Sequence, residues 1–171
     1  MHRGLPDDDA LAGLARRVGE SLVARRLMLA TAESCTGGWI AKTVTDLAGS
    51  SAWFEGAIVA YGYASKQAFL GVRPATLEAH GAVSRETVVE MVAGVLAGSA
   101  ADVAVAVTGI AGPGGGTPGK PIGTVWLAWQ QRGGQTIARE CRFEGDREAV
   151  RRQTVAAALS GLLGILDGGG S

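Results

Sequence analysis

The chain has 171 residues, of which 47 % are hydrophobic and 19 % charged. That length fits one domain, and the composition excludes intrinsic disorder. Its 16 basic and 16 acidic residues cancel, which argues against a protein that lives on nucleic acid.

In chain order, residues 7–26 read as a first helix. Asp7, Asp8 and Asp9 suit its positive N-terminal end, and Leu11, Leu14, Val18, Leu22 and Val23 recur at helical spacing. A short strand from Leu27 to Ala32 follows, then a second helix from the glycine pair Gly37-Gly38 to about Leu47. A Gly-Ser-Ser turn leads to a strand from Phe54 to Tyr61. A short helix around Lys66 and a Pro74-started turn of helix come next. Arg85 to Gly98 forms a longer helix capped by Ser84, with Thr87 three residues on. Ala101 to Thr108 is a near-continuous apolar run, the pattern of a buried strand. The segment 109–121 is glycine-rich and carries Pro113, Pro118 and Pro121, so it cannot be regular structure. Strands over 122–130 and 135–143 are joined by Gly133-Gly134 as a hairpin. A last helix runs from Asp146 to about Leu166, leaving 168–171 as a flexible tail. The order α-β-α-β-α-α-β-β-β-α predicts one α/β domain over 1–167, a three-layer α/β/α sandwich on a mixed sheet.

Cys35 and Cys141 have neither CxxC spacing nor a nearby His, so no metal site is expected. The polar start, without a secretory leader, and the absence of any apolar run near ~18 residues point to a cytoplasmic protein with no membrane span. His2 and His80 lack Ser or Asp partners at recognisable spacing, which argues against a Ser-His-Asp triad. His80 instead reads as a helix end before Gly81.

Four constellations can carry chemistry. Ser34 lies where a strand gives way to a helix, a junction with free N–H groups and a positive dipole end. Thr36 beside it, and Gly37 and Gly38, allow close approach of a substrate to the backbone. Ser34 or Thr36 as a plain N-cap is the competing reading. Cys35 is a rival nucleophile if the helix end lowers its pKa, and an inert buried thiol otherwise. Lys66, one of three lysines, follows Tyr61 by about one helical turn. It is a general base for a serine if desolvated, and a solvated surface lysine if not. The glycine-rich loop after the buried strand matches the front of a P-loop at Gly114 to Lys120, but Pro121 supplies no magnesium-binding hydroxyl and a strand follows. What remains is a long loop at a strand end, where open α/β sheets bind ligands. Thr108 and Gly109 open that loop. Arg147 stands in the first turn of the last helix, against the dipole preference, as an arginine placed for an anion or as a solvated side chain.

Together these segments resemble the nicotinamide-nucleotide amidohydrolase family, also known as the C-terminal domain of competence/damage-inducible protein A. The matching stretches are Ala-Glu-Ser-Cys-Thr-Gly-Gly (32–38), Ala-Gly-Ser-Ser-Ala-Trp-Phe-Glu (48–55), Glu-Ala-His-Gly-Ala-Val-Ser (78–84), Val-Thr-Gly-Ile-Ala-Gly-Pro-Gly-Gly-Gly (107–116), Lys-Pro-Ile-Gly-Thr-Val-Trp (120–126) and Gly-Asp-Arg-Glu-Ala-Val-Arg (145–151). The resemblance implies deamidation of nicotinamide mononucleotide to nicotinate mononucleotide and ammonia, with no cofactor. It maps the nucleophile onto Ser34, the base onto Lys66 and the tyrosine onto Tyr61. Tyr61 then holds the lysine or relays its proton to the leaving ammonia. Backbone N–H groups around 34–38 are expected to hold the oxyanion, and Thr108, Gly109 and Arg147 to contact ribose and phosphate. The family pattern Tyr-Ser-Asn-x-x-Lys departs here to Tyr61-Gly62-Tyr63-Ala64-Ser65-Lys66, with Tyr63 in place of the Asn. The alternative is a nucleotide-binding or regulatory module with little turnover. The expected partners are a small nucleotide and a second copy of the chain, with no nucleic acid and no membrane. The homodimer is expected if Trp39, Trp53, Phe54, Trp126 and Trp129 form an exposed apolar surface; the competing reading places all five in the core.

Overall fold

The computed structural model describes residues 4–168. His2 and the tail residues 169–171 lie outside the described residues. Six helices and five strands follow one another as α1 (Asp8–Arg25), β1 (Leu29–Glu33), α2 (Trp39–Thr45), β2 (Phe54–Val59), α3 (Tyr63–Leu70), α4 (Pro74–His80), α5 (Arg85–Ala97), β3 (Val103–Gly109), β4 (Thr124–Gln131), β5 (Ile137–Arg142) and α6 (Arg147–Gly168). A single 3-10 turn, Ser50–Ala52, sits before β2. The Pro74-started turn is a full helix, so three helices rather than two separate β2 from β3. The last helix also continues through Gly168, the residue at which the sequence predicts a tail.

The helix starts follow the capping rules. The Asp7 carboxylate accepts from the Ala10 N–H at 2.8 Å, Ser84 Oγ from Thr87 at 3.1 Å, and Asp146 from Ala149 at 2.9 Å. The sheet order is β2-β1-β3-β4-β5. β2, β1 and β3 run parallel, whereas β4 and β5 are antiparallel additions. This is a three-layer α/β/α sandwich with a mixed sheet. Strand alternation divides the core between the two faces. Val103, Val105 and Val107 share a core with Leu22 of α1, Ile40 of α2, and Leu159 and Leu162 of α6. Ala104 and Ala106 face the other layer with Val88, Met91 and Val92. The small alanines let that layer sit close. At the α3–α5 crossing a Cβ added to Gly94 would lie 1.8 Å from the Leu70 carbonyl oxygen, so only glycine fits there.

Of the two readings of the aromatic residues, the structure supports the core one. Trp53 and Trp129 are 5 % and 3 % exposed, and Trp39, Trp126 and Phe54 pack against the core. The aromatic rings close the sandwich: Trp129 Nε1 donates to the Ala158 carbonyl of α6. Among the described residues no helix is long and apolar enough to cross a membrane.

The functional consequence of the topology lies at the carboxyl ends of β1 and β3. The chain leaves β1 toward β2 on one side, while β3 lies on the other side. Adjacent strands whose connections diverge leave a crevice, which is where open α/β sheets bind ligands. The residues that follow these two strands are Ser34 and the loop from Ile110.

Candidate active site

Ser34 is held at the end of β1 by its own N–H, which donates to the Val107 carbonyl of β3 at 3.1 Å. Its side chain meets a lysine from the other side of β1. Lys66 lies in the first half of α3, and helical side chains lean back toward the N-terminus. Its Nζ therefore reaches the chain just before the helix. It is 2.8 Å from Ser34 Oγ and 3.0 Å from both the Ala60 and Tyr61 carbonyl oxygens. Lys66 is 1 % exposed and has no carboxylate partner among the described residues. Burial lowers its pKa from 10.5 to about 8, a shift that the buried Cys35 nearby partly opposes. Nζ donates to all three oxygens, the Ser34 hydroxyl and the two carbonyls, so the carbonyls fix the amine against the hydroxyl. Desolvated lysine is thus the reading that the geometry supports, and the solvated one is excluded.

The neighbouring Cys35 thiol is buried, and burial pushes its pKa up to about 12. A thiol held protonated by burial lacks the thiolate that a cysteine nucleophile uses. Cys141 on β5 is also free, and burial pushes its pKa up as well.

Tyr61, Thr108, Gly109 and Arg147 converge with Ser34 and Lys66 on a cavity of about 250 Å³ whose other wall is Ile110–Gly112, Gly114 and Gly115. Tyr61 acts on the lysine through its backbone carbonyl. Its phenol is turned away, 61 % exposed, and accepts from Arg147 Nη2 at 3.0 Å. Arg147 Nη1 donates to the Gly112 carbonyl at 2.8 Å, so the guanidinium spans the cavity mouth. The Thr108 hydroxyl is already engaged with the Ala82 carbonyl at 2.9 Å, which leaves it to position the strand end. Tyr63, at the departure from the family pattern, is 53 % exposed and makes no contact with Nζ.

Thr36, Gly37 and Gly38 do not line this cavity. They line an adjoining groove with Trp39 and Arg151, and Arg147 borders both. The Gly37 N–H is engaged with the Ser34 carbonyl at 3.0 Å, and the Ser34 N–H with β3. Of the N–H groups expected to hold an oxyanion, those of Cys35, Thr36 and Gly38 remain without an acceptor among the described residues.

Two residues went unnoticed in the sequence. Glu33 is fully buried, and its carboxylate accepts from the Thr31 and Thr36 hydroxyls and from the N–H groups of Ile40 and Ala41. It thereby caps α2, whose own N-cap, Gly38, has no side chain to do so. The signal available was a carboxylate just ahead of a helix that starts on glycines. Arg151, one turn beyond Arg147 on α6, donates to the carbonyls of Cys35 and Thr36 at 3.0 Å each. Among the described residues no cluster of three His, Cys, Asp or Glu side chains exists that could hold a metal.

The family model described as CinA C-terminal domain matches residues 11–166. The chain is 53 % identical over 155 residues to nicotinamide-nucleotide amidohydrolase PncC of Escherichia coli (strain K12), covering 91 % of this chain and 94 % of that protein. It is 54 % identical over 155 residues to the protein of the same name from Pseudomonas putida, covering 91 % and 96 %. The crystal structure of competence/damage inducible protein CihA from Agrobacterium tumefaciens superposes with a TM-score of 0.90 at 45 % identity, covering 96 % of this chain and 98 % of that one.

Proposed function

The chain belongs to the CinA C-terminal domain family, and from that membership and the Ser34–Lys66 geometry we propose that it is a nicotinamide-nucleotide amidohydrolase working through a serine nucleophile and a lysine base. Its substrate is nicotinamide mononucleotide, and its products are nicotinate mononucleotide and ammonia. The observation that carries this reading is the 2.8 Å contact between Ser34 Oγ and a Lys66 Nζ whose two other partners are carbonyls.

Ser34 Oγ attacks the carboxamide carbon as its proton passes to Lys66 Nζ. The carbonyl π bond opens to an oxyanion, which the free N–H groups of Cys35 and Thr36 receive. One such donor is worth roughly 3–4 kcal/mol in the transition state. When the tetrahedral species collapses, the C–N bond breaks. Lys66 returns the proton to the departing nitrogen, which leaves as ammonia. Water then attacks the ester carbon and gives a proton to Lys66; the C–Oγ bond breaks, Lys66 passes that proton to Ser34 Oγ, and the acid leaves and ionises to the carboxylate. The amine is reset at each step because the Ala60 and Tyr61 carbonyls hold it in place. They hold it without an asparagine at position 63, so the substitution there leaves the dyad intact.

Ammonia release measured on nicotinamide mononucleotide, its riboside and nicotinamide tests class and substrate together. Release from the mononucleotide, lost in Ser34→Ala with binding retained, is expected. Binding without release would establish the nucleotide-binding module instead.

A further inference from the structure

The turn that follows β1 has two faces. One looks into the cavity of Ser34, Cys35, Tyr61 and Lys66, and the other onto the groove lined by Thr36, Gly37, Gly38 and Arg151. Arg151 Nε and Nη2 take the carbonyls of Cys35 and Thr36, so both carbonyls point to the groove face. The Cys35–Thr36 peptide is trans. A trans peptide carries its C=O and N–H on opposite sides. With the Cys35 carbonyl held by Arg151, the Thr36 N–H is turned to the opposite side of the peptide, where no described residue accepts from it.

We propose that Arg151 is a positioning residue for the reaction: by gripping the Cys35 carbonyl it aims and polarises the Thr36 N–H as an oxyanion donor. This rests on the serine amidohydrolase reading above. Polarisation follows because a carbonyl that accepts from a cation strengthens the N–H of its own peptide as a donor. The guanidinium has no carboxylate partner among the described residues, in contrast to Arg152 beside it, which pairs with Asp8 and Glu148. Its charge goes to the two carbonyls and to the Trp39 ring, whose centroid lies 5.3 Å from Cζ. Gly37 beneath it adopts φ +60°, the left-handed conformation that favours glycine in this turn. Arg147 and Arg151 are four residues apart and share one helix face. The first turns of α6 therefore fasten both loops of the site, Arg147 the one after β3 and Arg151 the one after β1.

Arg151→Lys and Arg151→Met are measured with the full chain on nicotinamide mononucleotide, beside wild type and Ser34→Ala. Lysine keeps the charge but loses the two-pronged grip, so it serves if the methionine variant fails to fold. The expected result is a kcat lowered about tenfold to a hundredfold, milder than outright loss of an oxyanion donor. KM should stay near wild type, and the pH midpoint should be unchanged because Lys66 is untouched. Lysine should lose less than methionine. Normal kcat in either variant, a rise confined to KM, or a displaced pH midpoint each overturns the proposal. Failure of the underlying reading shows separately, as an inactive wild type or an active Ser34→Ala.

Discussion

The phenol oxygen of Tyr61 and the guanidinium of Arg147 meet at 3.0 Å across 86 positions of sequence. The contact links the chain after β2 to the start of α6. The same guanidinium donates to the Gly112 carbonyl, so three segments close on the cavity mouth through one side chain. Only one N–H on each terminal nitrogen is engaged in these bonds, which leaves donors for an arriving anion.

Arg147→Ala is expected to raise KM for the mononucleotide far more than for the phosphate-free riboside. An arginine at a helix start adds its charge to free N–H groups, which a phosphate uses and a riboside does not. Steady-state kinetics on the two substrates check this. An equal rise on both would assign Arg147 to holding Gly112 and Tyr61 alone.

Cys35→Ala is expected to keep the bulk of wild-type turnover, while Ser34→Ala loses it. A thiol pushed up to about 12 supplies no thiolate at neutral pH, and alanine retains the N–H of residue 35. Alkylation by iodoacetamide under native conditions should likewise leave activity intact. Inactivation by iodoacetamide that is absent in Cys35→Ala would return Cys35 to candidacy.

Glu33→Ala is expected to destabilise the fold by roughly 3 kcal/mol or more, because two backbone N–H groups and two hydroxyls lose their acceptor inside the protein. Glu33→Gln should cost less, since the amide oxygen still accepts. Urea unfolding monitored by circular dichroism gives both values. Equal stability of wild type and Glu33→Ala would show that α2 needs no cap from β1.

The lowered pKa of Lys66 also sets a sign for stability. Between about 8 and 10.5 the unfolded chain holds a proton on this lysine that the folded chain has released. Stability from this group therefore rises as pH increases through that window, and is reduced below it. Urea midpoints at pH 7.5 and 9.5 should show the rise in wild type and a smaller one in Lys66→Met. The same rise in both would place its origin elsewhere.

Local rules made much of the molecule readable. The caps at Asp7, Ser84 and Asp146, the apolar run of β3 and the glycine-rich loop all announce themselves within a few residues. Strand ends were less legible: β1 starts at Leu29 rather than Leu27 and β2 stops at Val59 rather than Tyr61, because pairing with neighbouring strands decides them. Ser34 and Lys66 were legible from their positions beside Gly37-Gly38 and Tyr61, and from the family resemblance. The direction of individual groups was not. That Tyr61 serves the lysine with its carbonyl, and that Thr36 turns its hydroxyl to Glu33, depends on peptide orientation, which residue type does not encode. The tryptophans left core and interface both open because a large apolar ring reads alike in either. Trp129 resolves only when α6 presents Ala158 to its N–H.

The central claim is that neutral Lys66 takes the proton of Ser34. Ammonia release from nicotinamide mononucleotide, measured across pH 6 to 9.5 in wild type and Lys66→Arg, tests it most directly. With a pKa of about 8, about a tenth of the molecules hold the neutral amine at pH 7 and about a hundredth at pH 6, so kcat/KM should climb roughly a hundredfold from pH 6 and level off above pH 8. Lys66→Arg should be nearly as inactive as Lys66→Ala at every pH, because guanidinium cannot accept a proton. A flat profile, with most activity retained in Lys66→Arg, would contradict the account and assign Lys66 an electrostatic role.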